Sequence, residues 1–326
     1  MNILITGGAG FIGSNFIRYY LANNPSDELL NLDLLTYAGN LNNLLDVSNN
    51  SKYHFFEGSI CDKSTLEEIK KEFEIHAIIN FAAETHVDRS IIHPDAFLNT
   101  NIWGTYTLLN FAKDNNIRRF IHISTDEVYG SIQSGSFRET DLVNPSSPYS
   151  ASKASSDLIA LSYYKTYGLP VIITRCTNNF GPYQFPEKLI PLFITNLLEG
   201  KRVPVYGKGE NIREWIHVLD HCSAIELVLK KGKWGEIYNI GSGIEKKNIE
   251  ITEKILMFLG KDKSSVRYMD DRPGHDFRYS INSSKIRELH WKPQYSFDEA
   301  LYDTVKWYKE NKWWWGPLKQ VKANEF

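Results

Sequence analysis

Apolar residues in the first half of the chain fall into short, nearly unbroken runs. Longer stretches separate them, in which apolar positions recur every three or four residues. The runs at 3–6, 29–33, 53–57, 77–81, 120–124 and 171–175 are mostly β-branched or aromatic with few polar interruptions. Strands buried on both faces have this pattern. The stretches at 11–22, 64–73, 96–115 and 148–167 predict helices. Strand and helix in alternation predict an α/β fold with a doubly wound parallel sheet.

Beyond about residue 175 the rhythm changes. Loops lengthen and gain proline and glycine, as at Gly181-Pro182, Gly207-Lys208-Gly209 and Arg272-Pro273-Gly274. Predicted helices at 188–199, 220–230, 249–259 and 297–311 alternate with short strand-like pieces. The expected organisation is a dinucleotide-binding domain over 1–175, with later segments free to return to it. A smaller α/β domain over 176–326 is expected to lie across the carboxyl edge of the sheet, with ligands in the cleft between them.

The composition narrows the function classes. With 326 residues, 42% apolar and 23% charged, the chain is ordinarily globular. A net charge of -2 gives no basic excess for nucleic acid, so no nucleic-acid partner is expected. No run of about 18 apolar residues occurs, so no membrane span is expected. The first residues run straight into a glycine turn without the basic start of a signal peptide. Cys61, Cys176 and Cys222 are widely spaced, with no Cys-x-x-Cys, which fits a reduced, cytoplasmic setting. The nine histidines show no metal-ligand spacing, and no metal is proposed.

Gly7-Gly8-Ala9-Gly10-Phe11-Ile12-Gly13 follows the first predicted strand and opens the first predicted helix. Such glycines make a tight turn and let backbone approach a pyrophosphate at a helix N-terminus. Asp33 closes the next strand, twenty residues after Gly13. It can accept bonds from ribose hydroxyls and would repel a 2′-phosphate, which favours NAD over NADP as cofactor. Phe81, Ala82 and Ala83 end the fourth predicted strand, where small residues let a cofactor lie close.

The chemistry concentrates in two places. Thr125-Asp126-Glu127 sets a hydroxyl and two carboxylates at the tip of an apolar strand, and Tyr149-x-x-x-Lys153 puts a phenol and an ammonium one helical turn apart. A neighbouring lysine is expected to lower the phenol from its reference pKa of about 10, making a base for a sugar hydroxyl. Two further carboxylates exceed what alcohol oxidation needs and point to a second proton transfer. Asp126 and Glu127 would have to hold different protonation states, which burial and mutual repulsion can produce.

Together these motifs resemble the extended short-chain dehydrogenase/reductase superfamily, with a Rossmann-like sheet. Four stretches narrow the resemblance: residues 82–90 (Ala-Ala-Glu-Thr-His-Val-Asp-Arg-Ser), Thr125-Asp126-Glu127, residues 178–184 (Asn-Asn-Phe-Gly-Pro-Tyr-Gln) and residues 271–276 (Asp-Arg-Pro-Gly-His-Asp). They are most similar to the nucleoside-diphosphate-sugar 4,6-dehydratases, and within them to the dTDP-glucose 4,6-dehydratase family.

The resemblance implies oxidation of a hexose at C4 by tightly held NAD, loss of water across C5 and C6, and reduction at C6. In that scheme Tyr149 takes the O4 proton, Lys153 assists it and holds the nicotinamide ribose, and Thr125 orients O4. Glu127 takes the C5 proton, and Asp126 protonates the departing C6 hydroxyl. The resemblance also places Leu34, Thr36, Ser59, Ile60, Thr100 and Asn179 at the cofactor. Thr85, Asn178, Lys188, Leu189, Pro204, Tyr206, Arg213, Asn248, Arg272 and His275 fall at the sugar nucleotide. His86 and Asp88 receive no role.

Two positions depart from the family pattern. Ser59 stands where an aspartate near the adenine is usual, and Ile244 replaces a polar residue near the nucleotide. A homodimer through the 96–115 and 148–167 helices is implied. Trp313, Trp314 and Trp315 are expected to pack at a domain edge. A dehydratase for a UDP-hexose or UDP-N-acetylhexosamine, a 4-epimerase, a uronic-acid decarboxylase and a dinucleotide-sensing scaffold remain alternatives.

Overall fold

A computed structural model describes residues 1–271 and 276–323, with side chains to residue 320. Strands β1 (Asn2–Thr6), β2 (Glu28–Asp33), β3 (Tyr53–Glu57), β4 (Ala77–Asn80), β5 (Arg119–Thr125) and β6 (Val171–Cys176) match the predicted runs to within a residue. The second half adds β7 (Asn178–Phe180), β8 (Val203–Tyr206), β9 (Ile212–His217), β10 (Ile237–Ile240), β11 (Glu245–Lys247) and β12 (Val266–Met269). The main sheet has seven parallel strands in the order β10-β6-β5-β4-β1-β2-β3. Two small sheets, β11-β9-β7 and β12-β8, lie beside it.

The helices are α1 (Phe11–Asn23), α2 (Lys63–Glu72), α3 (Val87–Ile92), α4 (Pro94–Phe97), α5 (Thr105–Asp114), α6 (Pro148–Tyr167), α7 (Leu189–Leu198), α8 (Val218–Lys231), α9 (Asn248–Phe258), α10 (Ser284–Glu288), α11 (Phe297–Glu310) and α12 (Lys312–Ala323). Local signals set α6. Ser147 caps it in a reciprocal pair with Ser150, Pro148 occupies its first turn, and Gly168 ends it at φ 69°.

Alternate residues of each strand feed two cores. Ile3 and Ile5 pack with Phe16, Ile17, Ile225 and Val228 under α1 and α8. Leu4 faces the other way, to Leu66, Leu108, Phe120 and Ala160 under α2, α5 and α6. A third core joins α7, α9, α11 and α12, with Trp314 and Trp315 buried in it. The expected packing of the tryptophan cluster holds for these two, while Trp313 is exposed.

The predicted single helix over 96–115 is interrupted. Between α4 and α5 the backbone widens into a π-helical stretch, Leu98–Gly104. Asn101 explains the break. Its amide donates to the Ser152 hydroxyl (2.8 Å) and the Glu84 carbonyl (3.1 Å), and its oxygen accepts from the Glu84 N–H (2.9 Å). One side chain thus ties the loop after β4 to α6, beside the cleft. Such wide turns often sit next to functional sites.

Candidate active site

All seven main-sheet strands run parallel, so their carboxyl ends open on one side. A cavity of about 750 Å³ lies there. The turn after β1 is pressed against the end of β4. A Cβ at Gly7 (φ +71°) would stand 2.6 Å from the Ala82 nitrogen, and one at Gly13 would stand 2.4 Å from the Gly7 carbonyl oxygen. Gly10 caps α1 with no side-chain bond to its first N–H groups. These positions form a cradle for a pyrophosphate at a helix start.

Asp33 is buried, and its carboxylate accepts from the Ala9 N–H (2.8 Å) and the Leu35 N–H (2.9 Å). Burial raises its pKa, and these two backbone bonds oppose the rise. Gly7, Gly10, Phe11, Ile12, Gly13, Asp33, Leu34, Thr36, Ser59, Ile60, Phe81, Ala82, Ala83, Thr100 and Asn179 all line the cavity. The glycine cradle, the strand-end carboxylate and the length of this wall fit a dinucleotide.

At the end of β5 the chain turns into a short 3-10 helix, Asp126–Tyr129, whose first N–H groups are capped by the Thr125 hydroxyl. Thr125 and Glu127 line the cavity with Tyr149 and Lys153. Asp126 lies just behind the wall, with one carboxyl oxygen, Oδ2, lacking a partner among the described residues. Burial first, then the Glu127 and Glu214 carboxylates, push its pKa well above the usual range and favour its protonated form.

The linkage has a definite sign. The raised Asp126 contributes stability that is complete below the unfolded aspartate pKa of about 3.9. That contribution is lost as pH rises through the folded value. Asp126→Asn is expected to flatten this decline in urea denaturation above about pH 4. An unchanged slope would mean that Asp126 is ionised in the folded protein.

Lys153 lies beside this cluster. The α6 turn brings Tyr149 and Lys153 to the same edge, but the ammonium donates to the Ile123 carbonyl at 2.7 Å. Burial lowers its pKa to about 8, opposed by Asp157 one turn further along. The Tyr149 phenol is raised well above 10, by burial and then by Glu127, while the adjacent Thr125 hydroxyl acts the other way. The Ile123 bond takes one of the three ammonium donors of Lys153.

From the second half, Asn178, Lys188, Leu189, Pro204, Tyr206, Arg213 and Asn248 reach the same cavity, as does Thr85 from the loop after β4. Arg213 is held by the carbonyls of Ile212 (2.8 Å), Asp276 (2.9 Å) and Phe277 (3.3 Å) and stacks 4.4 Å from the Tyr279 ring. Lys188 donates to the Thr85 carbonyl at 2.9 Å. Ile244 packs against the third core. Arg272 and His275 lie outside the described residues.

Several lining residues escape sequence reasoning. Glu187, 1% exposed at its side chain, accepts from the Tyr37 hydroxyl at 2.9 Å and lies 3.7 Å from His86 Nε2. Burial and Glu187 raise the Tyr37 phenol. Tyr279 also faces the cavity, hydrogen-bonded to Asp276, with its pKa raised by burial and Glu127. Among the described residues no group of three histidine, cysteine or acidic side chains could hold a metal ion.

A parallel sheet with a glycine cradle after β1, an acid–base cluster at the tip of β5 and room for a second large ligand defines a Rossmann-type enzyme of the extended dehydrogenase/reductase class. The profile of the family described as GDP-mannose 4,6 dehydratase matches residues 4–304, and the chain belongs to that family.

A dTDP-glucose 4,6-dehydratase of Streptomyces niveus is 51% identical over 324 residues, covering 98% of this chain and 96% of the relative. The crystal structure of the dTDP-glucose 4,6-dehydratase DesIV of Streptomyces venezuelae, solved with NAD bound, superposes with a TM-score of 0.95 at 54% identity, covering 98% and 100% of the two chains. A UDP-glucose 4-epimerase of Thermotoga maritima, solved with UDP-glucose, gives a TM-score of 0.88 at 31% identity, covering 95% and 99%. The fold is therefore shared with epimerases, and the site must decide the reaction.

Proposed function

We propose that this chain is an NAD-dependent 4,6-dehydratase of a nucleoside-diphosphate hexose, acting on dTDP-glucose to give dTDP-4-keto-6-deoxyglucose. The observation that carries the reading is the Thr125-Asp126-Glu127 cluster beside Tyr149 at the cavity, with Asp126 buried next to Glu127. A 4-epimerase needs a base at O4 but no acid pair for C5 and C6. The dehydratase relatives, at 51% and 54% identity, support dTDP-glucose over a UDP-sugar.

The cavity residues near Gly7, Gly13 and Asp33 would hold NAD. When bound, the dinucleotide supplies reversible removal of hydrogen at C4 and its return at C6. The chain supplies the proton transfers. Tyr149, its phenolate favoured by the positive charges of Lys153 and of the nicotinamide that would lie beside it, would take the O4 proton while Thr125 orients that oxygen. The C4 ketone acidifies C5–H, and Glu127 takes that proton. Asp126 gives its proton to the C6 oxygen, which leaves as water, and C5 is then reprotonated. Arg213 and Lys188 suit the diphosphate, and Tyr206 offers a flat face for the base.

Residues 1–175, completed by β10, form the cofactor half in this reading, and most of 176–326 forms the sugar-nucleotide half. Incubation with dTDP-, UDP-, GDP- and CDP-hexoses, followed by the alkali-induced absorbance of a 4-keto-6-deoxy sugar, tests it. Product from the dTDP sugar is expected, and no product from any of them sinks the reading. Gly13→Ala is expected to weaken dinucleotide retention at least about tenfold, because its Cβ would meet the Gly7 carbonyl. Measuring the NAD that co-purifies with the variant checks this.

We further propose a homodimer. Leu98, Trp103, Tyr106 and Leu158 are exposed on the π stretch, α5 and α6, with the Trp103 and Tyr106 rings 5.0 Å apart. Sedimentation is expected to give twice the chain mass, and Trp103→Lys with Leu158→Glu should shift it to one chain. No helix among the described residues is long and apolar enough to cross a membrane. With Cys61, Cys176 and Cys222 unpaired, we place the enzyme in the cytoplasm.

A further inference from the structure

Helix α12 reaches the glycine turn across almost the whole chain. Trp314, 2% exposed in α12, donates its indole N–H to Asn43 Oδ1 at 2.7 Å, a link between residues 271 positions apart. Asn43, also buried, donates its amide nitrogen to the Ala9 carbonyl at 2.8 Å. The two neighbours fix how that amide is turned. An indole nitrogen can only donate and a backbone carbonyl can only accept, so Asn43 presents its oxygen to Trp314 and its nitrogen to Ala9.

Ala9 sits inside the glycine turn, and both of its backbone polar groups are held. Its N–H donates to Asp33 Oδ2 at 2.8 Å. Its carbonyl accepts from the Asn40 N–H at 3.0 Å as well as from Asn43. That carbonyl shares a planar peptide with the Gly10 N–H. Whatever holds the carbonyl therefore sets the entry to α1, and Gly10 has no side chain to restrain it. A second contact runs in parallel. Trp314 packs edge-on against Tyr183, with ring centroids 5.6 Å apart, and Arg18 of α1 lies 4.1 Å over the same Tyr183 ring. Asn15 of α1 donates to the Pro182 carbonyl at 3.0 Å.

We propose that Trp314, acting through Asn43, holds the Ala9–Gly10 peptide in the orientation that receives the dinucleotide, so that α12 slows cofactor release. Both are positioning residues: they stand behind the cavity wall and do not line it. This rests on the NAD reading above and adds a device that keeps the cofactor in place through each turnover.

The test follows release of labelled NAD from the full-length protein into excess unlabelled NAD. Benzothienylalanine at position 314 keeps the shape of the indole and lacks its N–H. Release is expected to quicken about fivefold, as loss of one buried hydrogen bond implies. Trp314→Phe loses the same donor and should quicken release at least as much, as should Asn43→Leu. In the Asn43→Leu background, benzothienylalanine at 314 should add less than about twofold, because the link it breaks is already gone.

A rise by the same factor in both backgrounds would make Trp314 a packing residue only and overturn the proposal. So would unchanged release with benzothienylalanine at 314 in the otherwise wild-type chain. A wild type that carries no NAD and takes up none overturns the cofactor reading itself, and this inference with it.

Discussion

Replacing Glu127 by glutamine is expected to lower turnover by about 10²- to 10⁴-fold while leaving oxidation at C4 intact. Glutamine matches glutamate in size but cannot take a proton from C5. Tyr149 and Thr125 would still act at O4. On mixing with dTDP-glucose, the near-ultraviolet absorbance of reduced nicotinamide should rise to a stable level near one equivalent per site. Product should form only slowly. Stopped-flow absorbance paired with product assay checks both halves, and normal turnover by Glu127→Gln would remove Glu127 from its role.

Tyr149→Phe should fail earlier in the sequence. The variant keeps the ring that packs edge-on against Phe97, with centroids 6.3 Å apart, and lies within a well-capped helix. Folding should therefore be spared. Only the phenol oxygen is lost, and with it the acceptor for the O4 proton. Turnover should fall by about 10²- to 10⁴-fold, and no reduced nicotinamide should accumulate. The same stopped-flow trace separates the two variants: one stalls with the cofactor reduced, the other with it oxidised. Accumulation in Tyr149→Phe would move the O4 base elsewhere, with Glu127, whose charge acts on this phenol, the alternative.

The parts of the molecule legible in sequence are those whose causes are local. Helix α6 carries its own start and stop in Ser147, Pro148 and Gly168, so its bounds match expectation. The glycine cradle, Asp33 and the Tyr149–Lys153 spacing each depend on a few neighbouring residues. What stays hidden depends on distant contacts. The π stretch at Leu98–Gly104 goes with Asn101 reaching Glu84 and Ser152. The Tyr37–Glu187 pair spans 150 positions, and no periodicity announces it. Lys153 has the right spacing to act on Tyr149, yet its ammonium turns to the Ile123 carbonyl. Asp126 and Glu127 are adjacent acids in sequence, and only the fold shows that Asp126 is buried while Glu127 lines the cavity.

The central claim is that a ketone formed at C4 makes C5 acidic, so that water leaves and hydrogen removed from C4 returns at C6. A deuterium label at C4 of dTDP-glucose follows that path directly by NMR of the product. Label recovered at C6 of a 4-keto-6-deoxy sugar, with a solvent-derived hydrogen at C5, is the predicted result. Label retained at C4, on glucose or on its C4 epimer, would contradict the account.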